Sequence, residues 1–141
     1  MSELVVMARI GGRNTAIPAR EVRTVVDLDE IVPVPRAPAA VAGLAALRSR
    51  ALTVIDTNRL VGAESDPEFA SRRAIVIDNA GHGYALLVED VADVIPYDGE
   101  PAPVPGNTGP GWQQCARGMV ETAAGPALLL DPEALLAMAG R

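Results

Sequence analysis

Residues 43–62 read GLAALRSRALTVIDTNRLVG. Two apolar runs, 43–47 and 51–55, flank Arg48-Ser49-Arg50, and the second run ends at Asp56. This order predicts a strand, a tight polar turn, a buried strand and then a short helix. Asp56 suits the N-cap, because its carboxylate can accept from the first unpaired amides of that helix. Gly62 suits the position after the helix, where the backbone turns left-handed.

The same construction recurs at residues 118–131, GMVETAAGPALLLD, with the aspartate again 13 positions after the glycine (43 to 56, 118 to 131). A Leu-containing helix is predicted after each aspartate, over 57–61 and 132–138. The preceding halves match as well: AREVRTVV at 19–26 lines up with VEDVADVI at 88–95, and Pro33-Val34-Pro35 with Pro103-Val104-Pro105. Self-similarity at about 70 to 75 residues argues for two like-built lobes.

At 141 residues the chain is long enough for one compact domain of two intertwined lobes, lobe one at roughly 14–71 and lobe two at 72–131, with the termini closing the barrels. Each lobe alone would be marginal, so the two are expected to fold together. A net charge of −6 argues against nucleic acid or an anionic membrane as a general partner. No apolar run reaches 18 residues and residues 1–20 lack signal-peptide order, so a cytoplasmic location is expected. The lone Cys115 fits a reducing compartment. All 12 basic residues are arginine, which removes Schiff-base chemistry and the lysine-dependent phosphate loop.

Elsewhere, strands are predicted at 4–9, 15–19, 74–78 and 84–88, with turns at Gly11-Gly12 and at residues 79–83. Residues 21–26 and 91–97 are ambiguous between helical turn and strand, and the Val-Val pair tilts the first toward strand. Residues 63–71 form a polar, acidic loop, and 98–110 a proline-rich one. Residues 114–121 and 126–130 make the last hairpin, with Cys115 a small buried strand residue, and 132–139 the terminal helix. Many short strands, regular turns and only two short helices point to a mainly β chain of small barrels.

No catalytic, cofactor or metal site emerges. A serine triad needs a histidine base, and His82, the sole histidine, lies between glycines at a turn tip. Two soft ligands are too few for zinc. The acid pairs Asp27/Asp29 and Glu89/Asp90 flank turns or strand ends, where solvated carboxylates are ordinary. Glycines 106, 109 and 111 precede Trp112-Gln113-Gln114 and a strand, so no helix cradles a phosphate there. What the residues leave is surface: Arg48 and Arg50 around an apolar hairpin tip, preceded by the 22–26 segment, which is either a solvated turn or a protein-binding pattern.

Residues 43–62 resemble the CheW-like domain of bacterial chemotaxis proteins, whose hallmark hairpin is G-x-x-N-L-R-G, then an apolar strand and Asp-Leu. Gly43, Leu47, Arg48, Val54, Ile55 and Asp56 fall on that pattern, residues 84–91 follow its G-x-x-V-D-x-V segment, and 128–136 its terminal L-L-D-x-x-x-L-L. Ser49 stands where the family usually has glycine, Ala46 where it has asparagine, and Thr24 where it has an acid. The resemblance implies two similar five-stranded SH3-like β-barrel lobes packed side by side. It also implies a non-catalytic adaptor, without cofactor, that couples methyl-accepting chemoreceptor tips to the regulatory domain of a CheA-type histidine kinase. By position, Val22, Thr24, Val25, Leu47 and Arg48 would form the receptor groove. The alternatives are a small-ligand binding protein using the cleft between lobes, or a scaffold of this family serving another signalling system.

Overall fold

The computed structural model describes residues 3–63, 72–97 and 99–140. In chain order it contains β1 (Glu3–Ile10), β2 (Arg13–Pro18), a 3-10 turn (Ala19–Glu21), β3 (Thr24–Asp27), β4 (Val41–Leu47), β5 (Arg50–Asp56) and α1 (Thr57–Leu60). There follow β6 (Arg73–Asn79), β7 (His82–Leu87), β8 (Asp90–Tyr97), α2 (Pro110–Cys115), β9 (Ala116–Thr122), β10 (Gly125–Leu130) and α3 (Pro132–Ala139). The chain is mainly β, in two five-stranded sheets of matching order. One is a closed barrel, β1-β2-β10-β9-β8, and the other runs β3-β6-β7-β5-β4.

The repeat seen in the sequence is present, but its halves are exchanged. Each sheet takes a hairpin from one half (β1-β2 or β6-β7) and three strands from the other (β8–β10 or β3–β5). A boundary at 71/72 therefore divides the sequence repeats without dividing the sheets: β6 and β7 lie in the sheet with β3–β5, and β1 and β2 in the sheet with β8–β10. The physical reason is strand pairing. β3 finds its antiparallel partner in β6 and β5 its parallel partner in β7, while β8 and β10 find theirs in β1 and β2.

Period-2 alternation sorts the apolar residues into three layers. Val5, Met7, Ala16, Val120 and Leu129 fill the closed barrel. Leu52, Val54, Ala74, Val76, Ala85 and Leu87 fill the concave side of the second sheet. The outer-facing partners, Val6, Ile17, Ile55, Ile75, Ile77 and Leu86, meet between the sheets with Trp112 of α2 and Leu135 of α3. Hairpins such as β6-β7 are thus apolar on both faces, which explains their continuous apolar runs. Each fully buried Ile or Leu contributes about 1.5–3 kcal/mol, and truncating Ile75 at the middle layer would cost about 2–5 kcal/mol.

The predicted caps are in place. Asp56 accepts from the Arg59 amide at 3.4 Å and Asp131 from the Glu133 amide at 3.1 Å. Gly62 has φ +79°. The ambiguous segment 21–26 splits into the 3-10 turn and the short strand β3. Two expectations are corrected: there is a third helix, α2, where 114–115 was expected to begin a strand, and the glycines at 106, 109 and 111 do lead into it. Pro110, with its φ preset for a first helical turn, starts α2, and burying Trp112 and Cys115 on one side of that turn holds it. Cys115 is buried as expected, at a helix end rather than in a strand. The acidic loop from 64 to 71 lies outside the described residues.

Candidate functional site

The five groove residues start from β3 and the β4-β5 hairpin, and the alternation of β3 divides them. Val22 leaves the 3-10 turn and packs, half-buried, against the layer between the sheets. It lines a cleft of about 430 Å³ together with Arg20, Glu21, Ile77 and Leu136 of α3. Val25 pairs with Ile75, so it shares that outer face; it is 37% exposed and sits at the margin of the same layer. Thr24 pairs with Val76 and faces the opposite, concave side.

On that side Thr24, Leu47 and Arg48 come together around a second cleft of about 410 Å³, floored by Val26, Leu52 and Val76. It opens at the seam between β3 and β4, the two edge strands of this sheet. The edge of β4 is met further along by Val32, which exchanges both backbone hydrogen bonds with Leu44 at 2.8 Å. The hairpin tip is a two-residue turn with Leu47 opposite Arg50, and both central residues are left-handed, Arg48 at φ +49° and Ser49 at φ +67°. Those angles match the twist of a two-stranded ribbon, in which asparagine or glycine is usual.

Charge at this mouth is arranged by a carboxylate that local sequence spacing did not single out. Arg50 donates to Asp78 Oδ1 at 2.7 Å, and Arg23 donates to Oδ2 of the same carboxylate. The hydrogen bonds from Arg50 and then Arg23 hold the Asp78 carboxyl below its ordinary range. Arg48 is exposed and carries no ion pair among the described residues. Arg23 and Arg50 flank the expected residues directly. Only the pairing of β3 and β5 around the β6-β7 hairpin, 28 and 55 residues from Asp78, discloses their shared partner.

The groups tested for chemistry lie apart. His82 is exposed at the start of β7 beside the ring of Tyr84. Cys115 is sealed in the middle layer, where burial pushes its thiol up to about 11 and leaves little thiolate at neutral pH. Asp27 pairs with Arg73, and Glu89 accepts from the Gly12 amide. Among the described residues no group of three or more His, Cys, Asp or Glu is placed to hold a metal ion.

The fold is similar to the crystal structure of the scaffolding protein TtCheW from Thermoanaerobacter tengcongensis, with a TM-score of 0.80 at 24% identity over 93% of this chain and 90% of that one. No curated protein matches the chain in sequence. The sequence pattern of the CheW-like domain matches residues 4–140, from the first strand through the last helix. On that match over almost its whole length, the chain belongs to the CheW-like domain family.

Proposed function

We propose that the protein is a non-catalytic cytoplasmic adaptor that couples the cytoplasmic tip of a methyl-accepting chemoreceptor to the regulatory domain of a CheA-type histidine kinase. Family membership supports the adaptor role, and the similar fold of a scaffolding protein is consistent with it. Among the described residues no helix is long and apolar enough to cross a membrane. The observation that carries the receptor assignment is the cleft between the sheets. Val22, Ile77, Pro132 and Leu136 line it between charged residues, and Val25, outside that lining, is exposed on the same face of β3; a receptor helix could cover these together. Arg48 stands at the end of β4 as a cation ready to pair with a partner's acid.

Sizing-column co-elution with the regulatory domain of a CheA-type kinase tests the kinase contact. A joint peak at tens of micromolar is expected, and two independent peaks would remove the kinase from the assignment. For the receptor contact, Val25→Asp and Arg48→Glu change exposed side chains. Each should weaken binding of a receptor-tip fragment about tenfold or more by calorimetry, with circular dichroism unchanged. Unchanged binding would sink the groove assignment.

A further inference from the structure

The seam cleft has an internal control, because the other sheet repeats the same strands. Thr122 and Gly125 in β9-β10 occupy the places of Leu47 and Arg50 in β4-β5, with identical pairing across the turn. The sequence alignment of the halves sets Ala92 at the place of Arg23, Ala123 at that of Arg48 and Ala127 at that of Leu52. There the seam is joined by the Tyr97–Thr122 pair, and the equivalent hollow, lined in part by Arg9, Ala92 and Ala124, is only about 170 Å³. The fold thus forms there with alanines at the places of Arg23 and Arg48 and with a hollow less than half as large. In the β3-β4 seam the opening is about 410 Å³, with Val26 and Leu47 over the buried Leu52 and Val76; Arg23 and Arg50 share Asp78, and Arg48 bears no ion pair among the described residues.

We propose that this seam is a binding site for a small amphipathic carboxylate: an unbranched or singly branched aliphatic acid of about four to eight carbons, sized to a cleft at the lower end of the range for small-molecule sites. The tail lies against Val26 and Leu47, the half-buried apolar residues of the cleft, above the sealed Leu52 and Val76. The carboxylate stays at the mouth. Arg48, unpaired among the described residues, provides a two-pronged donor, and Arg50 and Arg23 supply further donors while Asp78 fixes their heads. A neutral molecule would leave Arg48 without an acceptor, and a short anion would leave Val26 and Leu47 uncovered. Both halves of the ligand are therefore required. This site shares Thr24, Leu47 and Arg48 with the receptor groove proposed above, and it is tested on the protein alone, without receptor or kinase.

Hexanoate is the probe, with acetate and hexan-1-ol as controls for head and tail, followed by NMR of the isotope-labelled full chain. Hexanoate at up to about 20 mM should move the methyl signals of Val26, Leu47, Leu52 and Val76 saturably, with acetate and hexan-1-ol at least about tenfold weaker. Arg48→Ala installs the residue of the sister lobe on an exposed turn and should weaken hexanoate about tenfold. Leu47→Thr, again the sister residue, should weaken hexanoate while leaving acetate unaffected. No methyl shift with hexanoate overturns the proposal, as does equal binding of hexan-1-ol. Shifts confined to the arginines, alike for hexanoate and acetate, also overturn it, and would mark a surface for acidic side chains of a partner protein instead.

Discussion

The closed barrel and the open sheet are the same construction carried out twice, and they differ where the backbone leaves room. In both, a segment crosses the outer edge of the fourth strand of the repeat and makes a pair of backbone hydrogen bonds there: Val32 with Leu44, and Ala102 with Met119. In both, the residue just before that contact is a glycine, Gly43 or Gly118. In both, the aspartate that caps the next helix donates its own amide to a carbonyl, Asp56 to Ala40 and Asp131 to Cys115, at 2.8 Å each. The hairpin tips diverge. One carries Arg48 and Ser49 in left-handed conformations. The other keeps Ala123 and Ala124 out of that region and gives the positive φ to Gly125. Backbone-to-backbone contacts leave almost no freedom of residue choice, whereas an exposed turn accepts several solutions, so the tips can take on arginines in one lobe only.

The sharpest way to break this equivalence is at the paired glycines. A Cβ at Gly43 would sit 2.2 Å from the Val32 carbonyl oxygen, on a backbone with φ +150°. At Gly118 it would sit 2.6 Å from the Ala102 oxygen, without the unfavourable φ. Gly43→Ala should cost about 3–5 kcal/mol in urea unfolding, and Gly118→Ala about 1–3 kcal/mol. Equal and small losses would mean that the crossing segments are free to move away from their strands.

Those glycines also show how much was legible from sequence. The repeat, the caps at Asp56 and Asp131 and most strands could be read because each depends on neighbours within a few residues. That the lobes intertwine was expected, but which hairpin joins which three strands could not be read, since the same apolar alternation lets β6-β7 pair with either set. Helix α2 was missed because Trp112-Gln113-Gln114-Cys115 has no helical periodicity within so short a span, and it is the burial of Trp112 that holds it. Leu47 and Arg48 entered the proposed site through the hairpin pattern, and Thr24 through its position in the family resemblance. The cleft's Arg50–Asp78–Arg23 cluster joins three strands, and local spacing carries no trace of it.

Cys115 offers the next comparison, because its counterpart Ala40 is also buried but carries no thiol. With burial holding the thiol near 11, little thiolate exists at pH 8. Reaction with a disulfide reagent at that pH should be at least about a hundredfold slower in the native protein than in urea. Labelling at the unfolded rate would show that the layer between the sheets opens readily.

The hairpin tips themselves differ by less. Ser49 holds φ +67°, where a Cβ is unfavourable, so Ser49→Gly should raise stability by about 0.5–1 kcal/mol. Ala124, without a positive φ, gains nothing from glycine, and Ala124→Gly should lower stability by a few tenths of a kcal/mol through added chain entropy, following about the usual Gly–Ala difference. Opposite signs in thermal unfolding sharpen the distinction between the two turns; the same sign would erase it.

The smallest effect concerns acid. Asp78 lies where the sister lobe carries Arg9, so only one lobe has this carboxylate between two guanidiniums. Its folded-state pKa is depressed below that of the unfolded chain, about 3.9. The stabilisation is therefore complete above about pH 4 and is lost as pH falls through the folded value, where the unfolded chain binds the proton first. Wild type should exceed Asp78→Asn in melting temperature at pH 6, and the gap should narrow as pH falls below about 4. Because the carboxylate is partly exposed, salt should narrow the gap at pH 6 as well. A gap that stays constant down to pH 2 would mean that the two arginines hold Asp78 through geometry alone, and that the charge asymmetry between the lobes adds nothing to the stability of the sheet bearing the cleft.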